Sequence, residues 1–307
     1  MSSGSRYTQL TQARSLLFAP ASNARMVGKA LDSVADAVIL DLEDAVAPGR
    51  LHEARATVAA ATRREDGPLL TVRVNHPSRG MLAEDVAAAV ATAPAAIMLP
   101  KAEYAADVRV LAECLDAAER ASGLEPMSIA IIPLIESGLG LHHCFDIGAA
   151  SPRVAGLAFS SGEEGDFMTD IGAQWSADGA ALLYARSKLV CENRAAGHVW
   201  ALDGVFMNLA DEAAFEAECR LARRLGFQGK LAIHPHQLPV LHRVFSPTAD
   251  EVERARRLLD AYAAAEHAGT GAIDVDGMMV DRANAVRAER VLAAAARDEA
   301  RRNRSIA

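Results

Sequence analysis

The chain has 307 residues, a formal net charge of −8, and a composition that is 51% hydrophobic, 23% charged and only 5% aromatic. Folding a chain of this length hides about three quarters of its extended surface, so a single large core needs no disulfide or structural metal. The acidic balance excludes the clustered surplus of Lys and Arg that nucleic-acid binding requires, and the composition excludes collagen-like and disordered classes.

Eight short apolar, β-branched runs recur along the chain. They are Ser15–Ala19, Ala37–Leu42, Leu70–Asn75, Ala96–Pro100, Ser128–Ile135, Val154–Ser160, Trp200–Met207 and Lys230–His234. Near-continuous apolar runs predict parallel strands covered on both faces. The seventh is the least regular, because Asp203 and Gly204 interrupt it. Between the runs lie amphipathic stretches at Ala24–Ser33, His52–Arg63, Leu82–Thr92, Ala105–Ala121, Gly179–Ala196 and Glu212–Leu225. Strands alternating with helices predict right-handed βαβ units, and eight of them fit a closed (β/α)8 TIM barrel. An open doubly wound sheet is the rival, although no Gly-rich G-x-G-x-x-G follows the first strand.

The domain reading is a catalytic barrel over residues 1–245 and a C-terminal helical extension over 246–307. In that extension Thr248 stands three residues before Glu251, the spacing of a capping box, and predicts a helix to His267. A link containing Gly269 and Gly271 follows, then Asp274–Asp281, then a last helix from about Arg282 to Arg301. This tail is a candidate lid or inter-subunit arm.

The first fourteen residues lack the apolar stretch of a signal peptide, and no charge-free run of 18 apolar residues occurs. Cys114, Cys144, Cys191 and Cys219 show no zinc-knuckle spacing and are expected to be reduced. Together these features predict a cytoplasmic protein with no nucleic-acid or membrane partner.

Barrel enzymes build their sites where strands end. Here the second strand ends in Asp41-Leu42-Glu43-Asp44, the third in Arg73-Val74-Asn75 and the fourth in Pro100-Lys101. The fifth ends at Glu136, the sixth runs into Glu163-Glu164-Gly165-Asp166, and the eighth ends at His234. Carboxylates converging on one rim repel one another unless a cation lies among them. Hard oxygen donors without nearby Cys suit Mg2+, with Mn2+ as a substitute. Glu136 and Asp166 are the expected ligands, and Glu43 and Asp44 would orient the ion's waters. Arg73 would grip a carboxylate or steady an oxyanion, its alternative being an ion pair with Glu43 or Asp44. Lys101 is expected as a buried salt-bridge partner rather than an imine-forming nucleophile, because the acids keep it protonated. His234 is read either as an acid–base group or as a structural hydrogen-bonding residue.

Taken in order, RSLLFAPASNARM from Arg14, VILDLEDAV from Val38, RVN from Arg73, LPK from Leu99 and PLIES from Pro133 form a recognisable set. GDFMTDIGA from Gly165, LLYARSKLV from Leu182, LGFQGKLAIHPHQ from Leu225, FSPTADEV from Phe245 and DGMMVD from Asp276 complete it. The set resembles the citrate lyase β-subunit-like family, within the HpcH/HpaI aldolase group that includes malyl-CoA and citramalyl-CoA lyases. The resemblance implies a Mg2+-dependent carbon–carbon lyase on a modified barrel, assembled as a homotrimer or hexamer. Such an enzyme cleaves a malyl-, citramalyl- or citryl-like 3-hydroxy-acyl-CoA to a 2-oxo acid and an acyl-CoA through a thioester enolate. Alternatives are a citrate lyase β subunit acting on an acyl-carrier-bound thioester, a malate synthase- or thioesterase-like activity, or a non-catalytic acyl-CoA-binding barrel.

Carried over by motif, Glu136 and Asp166 would be the metal ligands, and Arg73 would hold the enolate and carboxylate. Asn75, within RVN, would join the substrate contacts. Asp281 would serve a neighbouring subunit's site as the acid–base group, and Arg14 would contact the CoA carrier. The sequence departs from the family pattern in an extra Gly165, which leaves Glu164 as the alternative ligand. On this reading Arg73→Ala is expected to lower kcat with the fold intact.

Overall fold

The computed structural model describes residues 3–62, 64–267, 273–275 and 277–306. Arg63, the Gly269–Gly271 link and Asp276, all used in the sequence reading, lie outside the described residues. Eight parallel strands close into a barrel in which every strand pairs with its sequence neighbour and the last pairs with the first. They are β1 (Ser15–Pro20), β2 (Ala37–Asp41), β3 (Leu69–Arg73), β4 (Ala96–Leu99), β5 (Ala130–Ile135), β6 (Ala158–Phe159), β7 (Leu202–Asp203) and β8 (Gly229–Ala232). Closure rules out the open doubly wound sheet.

Each predicted crossover helix is present, at Ala24–Leu31, Leu51–Ala59, Leu82–Val90, Ala105–Ala121, Leu183–Ala195 and Glu212–Leu225. Their ends are set locally. Asn23 accepts a hydrogen bond from the Met26 N–H, and Asp211 accepts one from the Ala214 N–H, satisfying exposed first-turn donors. A helix at Ser3–Leu10 precedes the barrel and had no counterpart in the sequence reading.

β6 and β7 are two residues long, far shorter than their apolar runs, and two glycines explain why. A Cβ on Gly156 would lie 1.9 Å from the Trp200 carbonyl oxygen, and one on Gly204 would lie 2.2 Å from the Ser161 nitrogen. Backbones that approach this closely leave the regular ladder. A single bridge between Ile131 and Val154 is what remains of the early part of the sixth run.

Strand side chains alternate between the barrel interior and the helical layer. Leu16, Ala37, Ile39, Leu69, Ala96, Met98, Ala130, Ile132, Leu134, Ala158, Leu202 and Leu231 share one buried cluster and mark the interior positions. Continuing the same parity towards the strand ends brings Asp41, Arg73 and Glu136 to the interior at the C-terminal mouth. The opposite parity sends Asp203 and Lys230 outward, against the helices carrying Arg186 and Glu218. There they form a fully enclosed group: Asp203 accepts from Arg186 Nε at 2.9 Å and from Lys230 Nζ at 2.6 Å, and Glu218 accepts from Lys230 Nζ at 2.7 Å. The irregular polar residue of the seventh run therefore serves barrel–helix packing.

Contacts divide the chain into Met1–His242 and Arg243–Ala307. The second unit holds a helix at Ala249–His267, an antiparallel hairpin of β9 (Ile273–Val275) and β10 (Met278–Val280), and a helix at Arg282–Ile306. Tyr262, Val280 and Ala285 form its small core. The Thr248/Glu251 capping box is present in both directions, at 3.2 Å and 2.8 Å. Among the described residues no helix is long and apolar enough to cross a membrane.

Candidate active site

The parallel register sets the centre of the site. Asp41 and Arg73 are direct neighbours across the β2–β3 pair. Because both point inward, the Arg73 fork meets the Asp41 carboxylate with Nε and Nη2, each at 2.7 Å. Bidentate pairing of this kind gives direction as well as charge. Asp41 also accepts the N–H groups of Glu43 and Ala45, at 3.0 and 3.1 Å, which folds the loop after β2 back over the mouth. Arg73 stacks over the Phe18 ring, 5.0 Å from its centroid.

The bidentate grip leaves Nη1 as the free end of the guanidinium. It lies 3.1 Å from Glu43 Oε2 and 3.6 Å from Asp44 Oδ2. Neither approach has hydrogen-bond geometry, and Glu43 Oε2 is a buried oxygen with no hydrogen-bond partner. Nη1 thus keeps donors that an incoming oxyanion can take, inside a pocket already lined by acids.

Lys101 follows β4 and ties the remaining acids together. Its backbone N–H donates to Glu136 Oε1 at 3.0 Å. Its ammonium reaches Glu43 at 2.6 Å, Asp44 at 3.3 Å and Asp166 at 3.1 Å. Glu136 and Asp166 therefore both touch one residue, as a shared site requires. The salt-bridge reading of Lys101 holds in its partners but not in burial, since its side chain is 39% exposed.

Burial pushes the Glu136 carboxyl up to about 7, with the Glu43 charge adding to the effect and Arg73 opposing it. Burial likewise raises Glu43 against the pull of Arg73 and Lys101. Burial also acts to raise half-exposed Asp44, but Arg73 and Lys101 outweigh it and hold the group low. Arg73 and Lys101 both stay charged, because their acid partners overcome the cost of burial.

The Glu136 value has a stability consequence. Below about pH 4.5 this acid is neutral in folded and unfolded chains alike. Between about pH 4.5 and about 7 the unfolded chain ionises while the folded one stays protonated, so folding loses stability across that interval, by at most on the order of 3 kcal/mol, and no more above it. Glu136→Gln is therefore expected to raise the melting temperature at pH 8 and leave it unchanged at pH 4. Calorimetry at the two pH values checks this, and a lower melting temperature at pH 8 would contradict it.

The other sequence-predicted site residues take the following places. Arg14 precedes β1 and lies at the N-terminal end of the barrel, opposite the acid cluster. Its Nε and Nη2 grip Asp36 at 2.9 and 3.0 Å, closing the ends of β1 and β2, so it is no carrier contact at this mouth. The Asn75 amide is buried and donates to Asp85 at 2.8 Å and to the Leu42 carbonyl at 3.0 Å, a role in holding loops rather than substrate. His234 accepts from the His236 N–H at 3.3 Å, the structural alternative. Asp166 starts the helix Asp166–Ile171 and contacts Lys101; it is exposed, as are Glu163 and Glu164. Asp281 belongs to the second unit, where its carboxylate accepts from the Ala283 N–H at 2.9 Å as the cap of the last helix. Asp41, which sequence reasoning noted at the strand end but gave no role, is the partner that orients Arg73. An acid and an arginine, each closing its strand in adjacent βα units, were the available signal.

Comparison with known proteins agrees with this architecture. The pattern of the HpcH/HpaI aldolase/citrate lyase family matches residues 14–235. The citrate lyase subunit beta of Leuconostoc mesenteroides subsp. cremoris is 36% identical over 281 residues, spanning 91% of this chain and 92% of that protein. The (3S)-malyl-CoA thioesterase of Cereibacter sphaeroides is 33% identical over 284 residues, spanning 92% of this chain and 94% of that one. CitE from Mycobacterium tuberculosis, solved in complex with magnesium, acetoacetate and coenzyme A, is 32% identical with a TM-score of 0.74, covering 93% of this chain and 98% of that one. With a family pattern running through every barrel strand and relatives matched over about nine-tenths of their length, the chain belongs to the HpcH/HpaI aldolase/citrate lyase family.

Proposed function

We propose that this chain is a Mg2+-dependent carbon–carbon lyase cleaving a 3-hydroxy-acyl-CoA of the malyl, citramalyl or citryl type into a 2-oxo acid and an acyl-CoA. The observation that carries this reading is the buried Glu136 carboxyl, pushed up to about 7 beside a second buried acid, Glu43. A buried pair of acids, with one Glu43 oxygen making no hydrogen bond, is what a hard divalent cation would stabilise. The donor chemistry fits magnesium, which keeps most of its waters and takes only one or two protein carboxylates. That requirement is modest enough to agree with the lack, among the described residues, of any His/Cys/Asp/Glu group of three or more arranged to hold a metal ion. Glu136 and Asp166 would hold the ion, and Glu43 and Asp44 would orient its waters. When bound, it would supply Lewis-acid polarisation of the substrate's oxygens. CitE from M. tuberculosis was solved with magnesium in several complexes, among them one with pyruvate, which supports the same assignment here.

The chain's own groups would do the rest. An acid–base group takes the proton of the 3-hydroxyl as the adjacent C–C bond breaks. The bonding pair passes to the thioester fragment as an enolate, whose oxygen Arg73 Nη1 is placed to receive, and the enolate carbon then takes a proton. Asp41 fixes the Arg73 plane so that no reorientation is needed as charge develops. Asp281 from a second copy in a homotrimer or hexamer is our candidate for the acid–base group.

Two further readings have specific support. The Cereibacter relative is named a thioesterase and the Leuconostoc relative a citrate lyase subunit. Incubation with malyl-, citramalyl- and citryl-CoA, with and without Mg2+, separates them. Release of a 2-oxo acid and an acyl-CoA that stops with EDTA and returns with Mg2+ is the expected result. Free CoA without a 2-oxo acid indicates hydrolysis. Cleavage only of an acyl-carrier-bound thioester indicates the subunit role, and no turnover of any thioester leaves a binding protein.

A further inference from the structure

The second residue after β4 occupies an uncommon position. Lys101 has a backbone φ of +50°, left-handed and disfavoured for a residue with a Cβ. That turn aims its N–H at Glu136 while its side chain crosses the mouth to three other carboxylates. The two cations of the site differ in freedom. Arg73 is buried and fixed on Asp41 by two hydrogen bonds, whereas the Lys101 stem is flexible and 39% exposed. Its carboxylate partners also differ, since the Glu43 side chain is fully enclosed and the Asp166 side chain is 49% exposed. The ammonium therefore has one inner anchor and one outer, loosely held partner.

We propose that Lys101 is a resident counter-cation that shares Asp166 with the divalent ion. Without metal its ammonium holds Glu43, Asp44 and Asp166 together. When the ion arrives, Lys101 gives up Asp166 and keeps Glu43. The physical basis is charge repulsion: an ammonium and a dication drawn to the same carboxylate repel each other, and the more solvated contact yields first. Lys101 thereby lowers the site's affinity for metal. This inference rests on the magnesium reading above and adds to it what the site does when the ion is absent.

Free Mn2+ measured by electron paramagnetic resonance, with Mg2+ as competitor, tests it in the full-length protein, Lys101→Met and Lys101→Arg. Methionine keeps the backbone N–H to Glu136 and the Cβ, and removes the ammonium with its charge and its hydrogen bonds to Glu43 and Asp44. Lys101→Met is expected to bind Mn2+ about tenfold more tightly than the wild type, and Lys101→Arg within about threefold of it. Equal or weaker binding by Lys101→Met overturns the counter-cation while leaving the magnesium reading intact. No retention of Mn2+ by any of the three overturns the magnesium reading, and the counter-cation with it. Should Lys101→Met fail to fold by circular dichroism, the Mn2+-soaked wild-type crystal structure decides. An Nζ–Asp166 separation above about 4 Å supports the exchange, because that distance ends the ion pair. An unchanged 3.1 Å contact with the ion bound overturns it.

Discussion

Arg73→Ala is expected to lower kcat for thioester cleavage by about 10²–10³-fold, the loss typical of one oxyanion donor. It is also expected to destabilise the barrel by about 3–5 kcal/mol, because Asp41 would be left a buried acid without its cation and Glu43 would keep only Lys101. The structure thus revises the sequence-based expectation that the fold would be untouched: the Arg73 guanidinium is gripped at 2.7 Å by Asp41 before any ligand arrives. The two effects separate in the double variant Arg73→Ala with Asp41→Asn. The amide removes the orphaned charge and still accepts the Glu43 N–H, so stability should largely return while turnover should not. Urea melts and steady-state kinetics on the wild type and the two variants provide the check. Recovery of turnover together with stability would make Arg73 a clasp only and remove it from the chemistry.

Lys230→Met is expected to cost about 3–5 kcal/mol with no direct effect on the mouth of the barrel. Lys230 and Arg186 are two buried cations facing two acids, Asp203 and Glu218, and the group is neutral as a whole. Removing one cation leaves two acids to share Arg186. Burial would raise Asp203, but Arg186 and Lys230 outweigh it and hold the carboxyl down at about 2. A depressed carboxyl contributes stability above its unfolded value and loses it only as pH falls through the folded one. The deficit of Lys230→Met should therefore be constant from neutral pH down to about 4 and narrow only as pH falls towards 2. Denaturant midpoints across that range test it. A loss below about 1 kcal/mol would mean that water already screens the group.

These expectations show how far the chain's own pattern reached. Eight apolar runs alternating with amphipathic stretches were enough to specify a parallel barrel, because strand and helix periods are properties of neighbouring residues. The acids at the strand ends, and the ordered peptides from RSLLFAP to DGMMVD, were equally readable. Strand length was less so. The sixth and seventh runs shrank to two residues each because Gly156 and Gly204 admit each other's neighbouring backbone, a contact invisible along either run.

What the sequence by itself determined is which residue types stand at the ends of which strands, and hence that carboxylates, an arginine and a lysine gather somewhere on the barrel rim. Only the tertiary structure decided their partners. Register placed Asp41 beside Arg73, so the arginine acquired a fixed plane. Chain direction put Arg14 at the opposite end on Asp36, and parity sent Asp203 and Lys230 outward while Glu136 turned in. The reason is physical: side-chain alternation is local, but which position faces inward, and beside which neighbour, is settled only when eight strands close with a common stagger.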